Sequence, residues 1–307
     1  MTISIIGSGR VGASIALNCG IRELDPMIKL LDVIEGLPQG EAMDINHQLS
    51  ERGLDSYVEG SNNYDDLQGS DIVVLVAGVG RKPGMTRMDL LKTNASIVKD
   101  VSKKISENVS GKDCNLIVVT NPLDPMTYLA LKTTGFPSEK VMGMGGMLDL
   151  SRFSSFIHDY TKISRNSISA MVIGEHGEKM LPLIRFSSIS GIPLEEFIDK
   201  KQAEEIYEKT KQVAAEVIKY KGATVYAPGN AVASMVESIV KDKKKLIPLS
   251  VYLDGQFGVN DVCLGAPVVV GRKGVERIVE LSLNEFEKSE FLKGAQNVKD
   301  AISNFSL

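Results

Sequence analysis

The chain has 307 residues, 43% of them hydrophobic and 24% charged, and a formal net charge of -4. That length can hold two domains, and the mix is ordinary for a soluble globular protein. The slightly acidic total gives no general attraction to nucleic acid or anionic lipid, and no apolar run approaches the length of a bilayer span. Three scattered cysteines, Cys19, Cys114 and Cys263, lack C-x-x-C spacing, which argues against a disulfide framework and suits a reducing cytoplasm. The first ten residues, "MTISIIGSGR", have no basic n-region and meet glycine too early for a signal peptide.

In chain order, "ISII" (3–6) is a short apolar run broken by "GSGRVG", after which "ASIALN" supplies helix formers. "IKLLD" (28–32) reads as a second strand, with a helical stretch near "GEAMDINHQLS". "DIVVLV" (71–76) reads as a buried strand, and an amphipathic helix is expected from about Asp89 to Asn108. "NLIVVT" (115–120) is the next strand, ended by Asn121-Pro122. Short apolar strands alternating with helices predict βαβ units and a doubly wound parallel sheet over the first 140 or so residues. In the second half, "SISAMVIG" (167–174) and "LIPLSVYLDG" (246–255) are expected strands of a mixed sheet. Residues 202–222 have apolar positions at helical spacing and a Gly stop. Residues 275–305 carry a long helical pattern with a break near Ser282. No repeat or Pro/Ser-rich linker separates the halves, so the seam falls around "GMGGM" (143–147), with domains expected at 1–143 and 144–307. The expected class is α/β: an N-terminal doubly wound (Rossmann) domain followed by a C-terminal α+β domain.

Gly7, Gly9 and Gly12 form G-x-G-x-x-G between the first strand and its helix. Such glycines give a tight turn, a bare backbone against a pyrophosphate and close helix–strand packing. The helix N-terminus adds unpaired N–H groups and a positive dipole end. Asp32 ends the second strand 20 residues after Gly12, where a carboxylate binds ribose hydroxyls and repels a 2′-phosphate. The alternative is a glycine turn with a chance aspartate. The context favours NAD, and Val119 and Asn121 of "VTN" fall at the carboxyl end of another strand, beside the cofactor crevice.

The loop after "DIVVLV" carries Arg81, Lys82 and Arg87, with no carboxylate of its own before Asp89. A solvated basic loop is one reading, and a loop that grips an anion is the other. Among three histidines, His47 and His158 lie in helical patterns that suit surface or structural roles. His176 follows a strand and stands between Gly174 and Gly177, a backbone path that can present the ring into a site. Asp149 and Arg152 are three apart, so a helix puts them on one face. They form either an intrahelical ion pair or a functional set in which Asp149 orients His176 and Arg152 meets a substrate carboxylate. No His/Cys cluster has metal-ligand spacing, so no metal is expected.

"GSGRVG", Asp32, "AGVGRKPGMTRMDL", "VTNPLD", "GMLDLSRF" and "IGEHGEKMLP" stand in the order and approximate spacing of the malate and lactate dehydrogenase family. The chain resembles that family over nearly its whole length, most closely the archaeal and lactate-dehydrogenase-like malate dehydrogenases. The resemblance implies NAD-dependent, reversible hydride transfer between (S)-malate and oxaloacetate. It makes His176 the general acid/base and Asp149 its partner. Arg152 grips the C1 carboxylate, Arg87 polarises the ketone and Asn121 binds near the carbonyl and nicotinamide. Asn94 contributes to the cofactor site, and the Asn121-Pro122 peptide is cis. Arg81 stands where malate dehydrogenases carry Arg and lactate dehydrogenases usually Gln, which implies a dicarboxylate substrate. Thr224 in "KGATVYAPG" falls where lactate dehydrogenases carry Thr, and it leaves room for a lactate (2-hydroxy-monocarboxylate) dehydrogenase or a side activity of that kind. A non-catalytic NAD-binding sensor is the rival from another class. The resemblance further implies a cytoplasmic homodimer or homotetramer of the tricarboxylic acid cycle, with no nucleic-acid or membrane partner.

Overall fold

The computed structural model of the chain describes residues 1–80 and 85–305. Arg81, Lys82, Pro83 and Gly84 lie outside the described residues, as does the side chain of Arg87.

The first half is built from strands β1 (Ile3–Ile6), β2 (Met27–Leu31), β3 (Tyr57–Ser61), β4 (Ile72–Leu75), β5 (Asn115–Val118) and β6 (Val141–Gly143). Between them run helices α1 (Arg10–Ile21), α2 (Leu37–Glu51), α3 (Arg87–Asn108) and α4 (Leu123–Thr134). Every residue of β1, β4, β5 and β6 is buried, as short apolar strands covered by helices on both faces require. These strands pair in parallel in the order β3-β2-β1-β4-β5-β6. The order reverses between β1 and β4, which opens a crevice at their carboxyl ends, where ligands of such sheets bind. The segments after β1, β2, β4 and β5 all leave on that side.

The second half begins with α5 (Gly145–Thr161), followed by short strands β7 (Ile168–Ser169), β8 (Val172–Gly174), β9 (Met180–Pro182), β10 (Ser188–Ile189) and β11 (Ile192–Pro193). Helices α6 (Lys200–Lys221) and α7 (Tyr226–Val240) precede a long hairpin of β12 (Lys245–Asp254) and β13 (Asn260–Gly271). Strand β14 (Gly274–Ile278) and helix α8 (Glu285–Ile302) follow. The two halves share one sheet: Ser250 of β12 pairs with Gly143 of β6, and the ladder continues antiparallel through β13, β8 and β9. The seam is tight. A methyl group at Gly143 would lie 2.9 Å from Ser250 Cβ, and one at Gly146 would lie 2.7 Å from the Pro248 carbonyl oxygen.

Two expectations need correction. Residues 167–174 are not one strand: Ile168–Ser169 joins a separate small sheet with β10 and β11, while Val172–Gly174 joins the main sheet. Residues before Ser282 do not continue the C-terminal helix, because Gly274–Ile278 pairs with the end of β13. Their apolar spacing suits a helix, but the open edge of β13 supplies the hydrogen bonds, and tertiary pairing overrides local pattern. The helix starts instead at Asn284, whose side chain caps Glu287 N–H in a reciprocal capping box.

Candidate active site

At the crevice, Gly7 turns the chain with φ +109°, in the region that favours glycine, and its N–H donates to the Leu31 carbonyl at 2.8 Å. A methyl group at Gly12 would meet the Gly7 carbonyl oxygen at 1.8 Å, so only glycine lets α1 pack this closely on its strand. Gly9 differs. It is the N-cap of α1, no side chain caps that end, and a methyl group there would meet nothing within 4 Å. The first-turn N–H groups of α1 therefore border open space, an anion seat by construction. Asp32 follows β2; its Oδ2 accepts Ser8 N–H at 2.7 Å and its Oδ1 accepts Ile34 N–H at 3.0 Å. Each oxygen retains acceptor capacity for a hydroxyl donor. Gly7, Gly9, Gly12 and Asp32 are thus brought together, and they fit the pyrophosphate and ribose of a dinucleotide.

The root of the basic loop is held by Asn94 of α3, whose side chain is 1% exposed. Its Oδ1 accepts Val79 N–H at 2.8 Å, and its Nδ2 donates to the carbonyls of Val79 at 3.1 Å and Asn121 at 2.6 Å. Asn94 therefore straps the segment after β4 to the segment after β5. Val119 is buried at the end of β5, with its N–H on the Leu75 carbonyl. Asn121 is exposed, and the Asn121–Pro122 peptide is cis. Arg87 is the first residue of α3, and Thr86 and Asp89 close a capping box around it. Thr86 N–H and Oγ1 both donate to Asp89 Oδ2, at 3.0 and 2.6 Å. The first carboxylate after the basic loop is therefore committed to capping the helix.

The central constellation lies where α5 faces the turn after β8. Gly174 takes φ +84°, which swings the chain so that His176 faces α5. A methyl group at Gly145 would lie 2.6 Å from His176 Cβ, so the glycine-rich start of α5 makes room for this residue. His176 Nδ1 lies 2.6 Å from Asp149 Oδ2, and Arg152 Nη1 donates to Asp149 Oδ1 at 3.0 Å. Asp149 is 1% exposed and serves both cations, one with each oxygen. The intrahelical pair and the His–Asp dyad, alternatives in the sequence, coexist. Nδ1 is the donor to the carboxylate, which leaves Nε2 for a substrate. Burial works against charging the ring, but the charge and hydrogen bond of Asp149 outweigh it despite opposition from Arg152, and the His176 pKa is raised.

Asp124, in the first turn of α4, has no assigned role in the sequence reading. It is 1% exposed, and its Oδ2 accepts the backbone N–H of His176 at 2.7 Å. Its only signal was its place in "NPLD", three residues beyond Asn121. The remaining histidines stand apart from this chemistry: His47 is exposed on α2, and His158 Nδ1 binds the Ile163 carbonyl at 2.8 Å where α5 ends. Thr224 is half-buried in the turn between α6 and α7.

Residues 1–143 match the lactate/malate dehydrogenase NAD binding domain, and residues 146–306 match the alpha/beta C-terminal domain of the same family. The chain belongs to the lactate/malate dehydrogenase family. It is 42% identical over 301 residues to a malate dehydrogenase of Aeropyrum pernix, covering 98% of this chain and 97% of that one. The solved structure of the malate dehydrogenase from Aeropyrum pernix superposes with a TM-score of 0.94 at 41% identity, over 99% of this chain and 97% of that one. A lactate dehydrogenase from Eimeria maxima, solved with NADH and oxamate, superposes with a TM-score of 0.93 at 39% identity, over 97% and 92% of the two chains. The family's N-terminal domain binds NAD, and the observed order 3-2-1-4-5-6 is the doubly wound arrangement that such binding uses.

Proposed function

We propose that the chain is an NAD-dependent malate dehydrogenase in which His176, oriented by Asp149, moves the proton of the substrate hydroxyl. The observation that carries this reading is the pair of contacts on Asp149, which sets a proton-transfer group beside a carboxylate-binding guanidinium. Curated relatives at 40% identity or above are malate dehydrogenases over nearly the whole length, so malate is favoured over lactate.

Gly7, Gly9, Gly12, Asp32, Asn94, Val119 and Asn121 are assigned to the cofactor. When bound, NAD accepts the hydride that leaves C2 of malate. His176 Nε2 takes the hydroxyl proton in malate oxidation and returns it in oxaloacetate reduction. Arg152 holds the C1 carboxylate with N–H groups that no described residue occupies, and Asp149 restrains the guanidinium through its single contact with Nη1. Asn121 and Arg87 are assigned to the substrate oxygen at C2. Arg81 is assigned to the second carboxylate. Beside pyruvate it has no anion to meet, and an unpaired desolvated charge is costly. The chain divides at 143/144 into cofactor and substrate domains.

The enzyme is proposed to work in the cytoplasm as a homodimer or homotetramer, which light scattering tests. Among the described residues no helix is long and apolar enough to cross a membrane. The deciding experiment is NADH oxidation with oxaloacetate and with pyruvate, on the wild type and on Arg81→Gln. A strong oxaloacetate preference that collapses in the variant is expected. Preference for pyruvate in the wild type would overturn the assignment of Arg81 and turn attention to Thr224.

A further inference from the structure

Against the backbone of His176 stands a second carboxylate that the mechanism above does not use. Asp124 sits in the first turn of α4, where the helix dipole favours an anion. Its Oδ2 holds the His176 N–H at 2.7 Å, whereas its Oδ1 is buried without a hydrogen-bond partner. Ser250 of β12 is a polar neighbour of this carboxylate, and its Oγ is buried and likewise without a partner of good geometry. A half-satisfied buried carboxylate is a standing cost to the fold. An amide would hold the same backbone N–H without a charge, so the charge itself asks for a role.

We propose that Asp124 is a positioning residue of the hydride-transfer site: its buried carboxylate fixes the backbone of His176 and supplies a second negative charge to that residue. The inference rests on His176 being the proton-transfer group. Asp149 contacts the ring at Nδ1, Asp124 holds the peptide N–H of the same residue, and both carboxylates, on two helices, favour the protonated ring. The other groups that act on this pair are Arg152 of α5, Glu175 beside the histidine, and Cys263 of β13. Arg152 opposes protonation of the ring, while Asp124 favours it. Burial pushes Asp124 up to about 6, with Ser250 and the His176 N–H pulling the other way. Above that pH the second charge is in place, in the range where oxaloacetate reduction needs a protonated histidine.

The test reads the histidine directly. The full chain has three histidines, so the His176 ring signals in a histidine-labelled NMR titration are assigned by their loss in His176→Gln. In Asp124→Asn, which keeps an acceptor for the backbone N–H, the His176 midpoint is expected to fall by about half a pH unit. The alkaline limb of kcat/KM for oxaloacetate should move with it, a roughly threefold loss at high pH. The variant and wild type should converge below about pH 6, where Asp124 is itself protonated. Ser250→Ala provides a second variant should Asp124→Asn fold poorly. Losing the hydroxyl that lowers Asp124 leaves less charge there, so the midpoint falls in the same direction by less. An unchanged His176 midpoint in the folded variants, or a uniform loss of kcat at every pH, would overturn the proposal. Should the wild type reduce no 2-keto acid, the proposed function fails, yet the NMR midpoints still decide whether Asp124 charges the ring.

Discussion

Asp149 Oδ2 and His176 Nδ1 are 2.6 Å apart, and the other oxygen of the same carboxylate holds Arg152 at 3.0 Å. An imidazole and a guanidinium are therefore registered against one buried anion. A change at Asp149 is felt twice, once as lost orientation of the imidazole and once as a released arginine.

Asp149→Asn removes the charge but not the shape. It should lower kcat for oxaloacetate reduction by about 10²-fold or more, the scale of general acid–base catalysis, and also raise KM through Arg152. Steady-state kinetics with NADH in excess check this. A variant within twofold of wild type would dismiss the dyad.

The raised pKa of His176 sets a direction with pH. The folded state favours the protonated ring, so its stabilisation is fully present below the ordinary value of 6.5 and is lost as pH rises through the higher folded value. Oxaloacetate reduction should decline over that same range, above 6.5, and malate oxidation should rise. Urea melts at pH 6 and pH 9 should show a stability difference that shrinks in Asp149→Asn. Equal differences in both proteins would count against the coupling.

Gly9 and Gly12 separate binding from folding. Gly12→Ala drives a methyl group to within 1.8 Å of the Gly7 carbonyl oxygen, and overpacking of this kind costs about 1–3 kcal/mol or more. Gly9→Ala meets only open space and should leave the melting temperature within a few degrees. Its NADH affinity should nevertheless fall about tenfold, because the methyl group intrudes where a pyrophosphate is expected. Undiminished NADH binding by Gly9→Ala, followed by fluorescence, would place the cofactor elsewhere.

Asp32→Asn keeps acceptors for Ser8 and Ile34 but loses the charge that repels a 2′-phosphate. The preference for NADH over NADPH in kcat/KM should shrink by about tenfold or more, a change on the order of 1.4 kcal/mol. A preference that does not move would remove Asp32 from cofactor selection.

Strands β1, β4 and β5 could be read in advance because strands buried on both faces leave uninterrupted apolar runs. The glycine loop and Asp32 were readable through motif and spacing, whereas the cis Asn121–Pro122 peptide was expected only from the family resemblance. His176 stood out because glycines flank it, and the structure joins it to Asp149 from 27 residues away. Strand β14 was not readable: Val275 and Ile278 are spaced as on a helix, and only the neighbouring β13 makes them a strand. Asp124 was missed, and Asn94 was reached only through the family resemblance, for a related reason. Both act through backbone groups distant in the chain, His176 for Asp124, Val79 and Asn121 for Asn94, and no local pattern marks a side chain that serves a remote peptide. Arg81 was read from sequence alone and lies outside the described residues.

The pairing of Gly143 with Ser250 has a consequence for how the molecule comes apart. Cutting the chain near residue 144 would bare β6 on one fragment and the ten-residue β12 on the other. Unpaired strands of this kind recruit further chains and aggregate. Neither fragment is expected to remain monomeric in solution. The intact chain is expected to denature in a single cooperative transition, in which the Gly7–Gly12 turn and the Asp149–His176 pair are lost together.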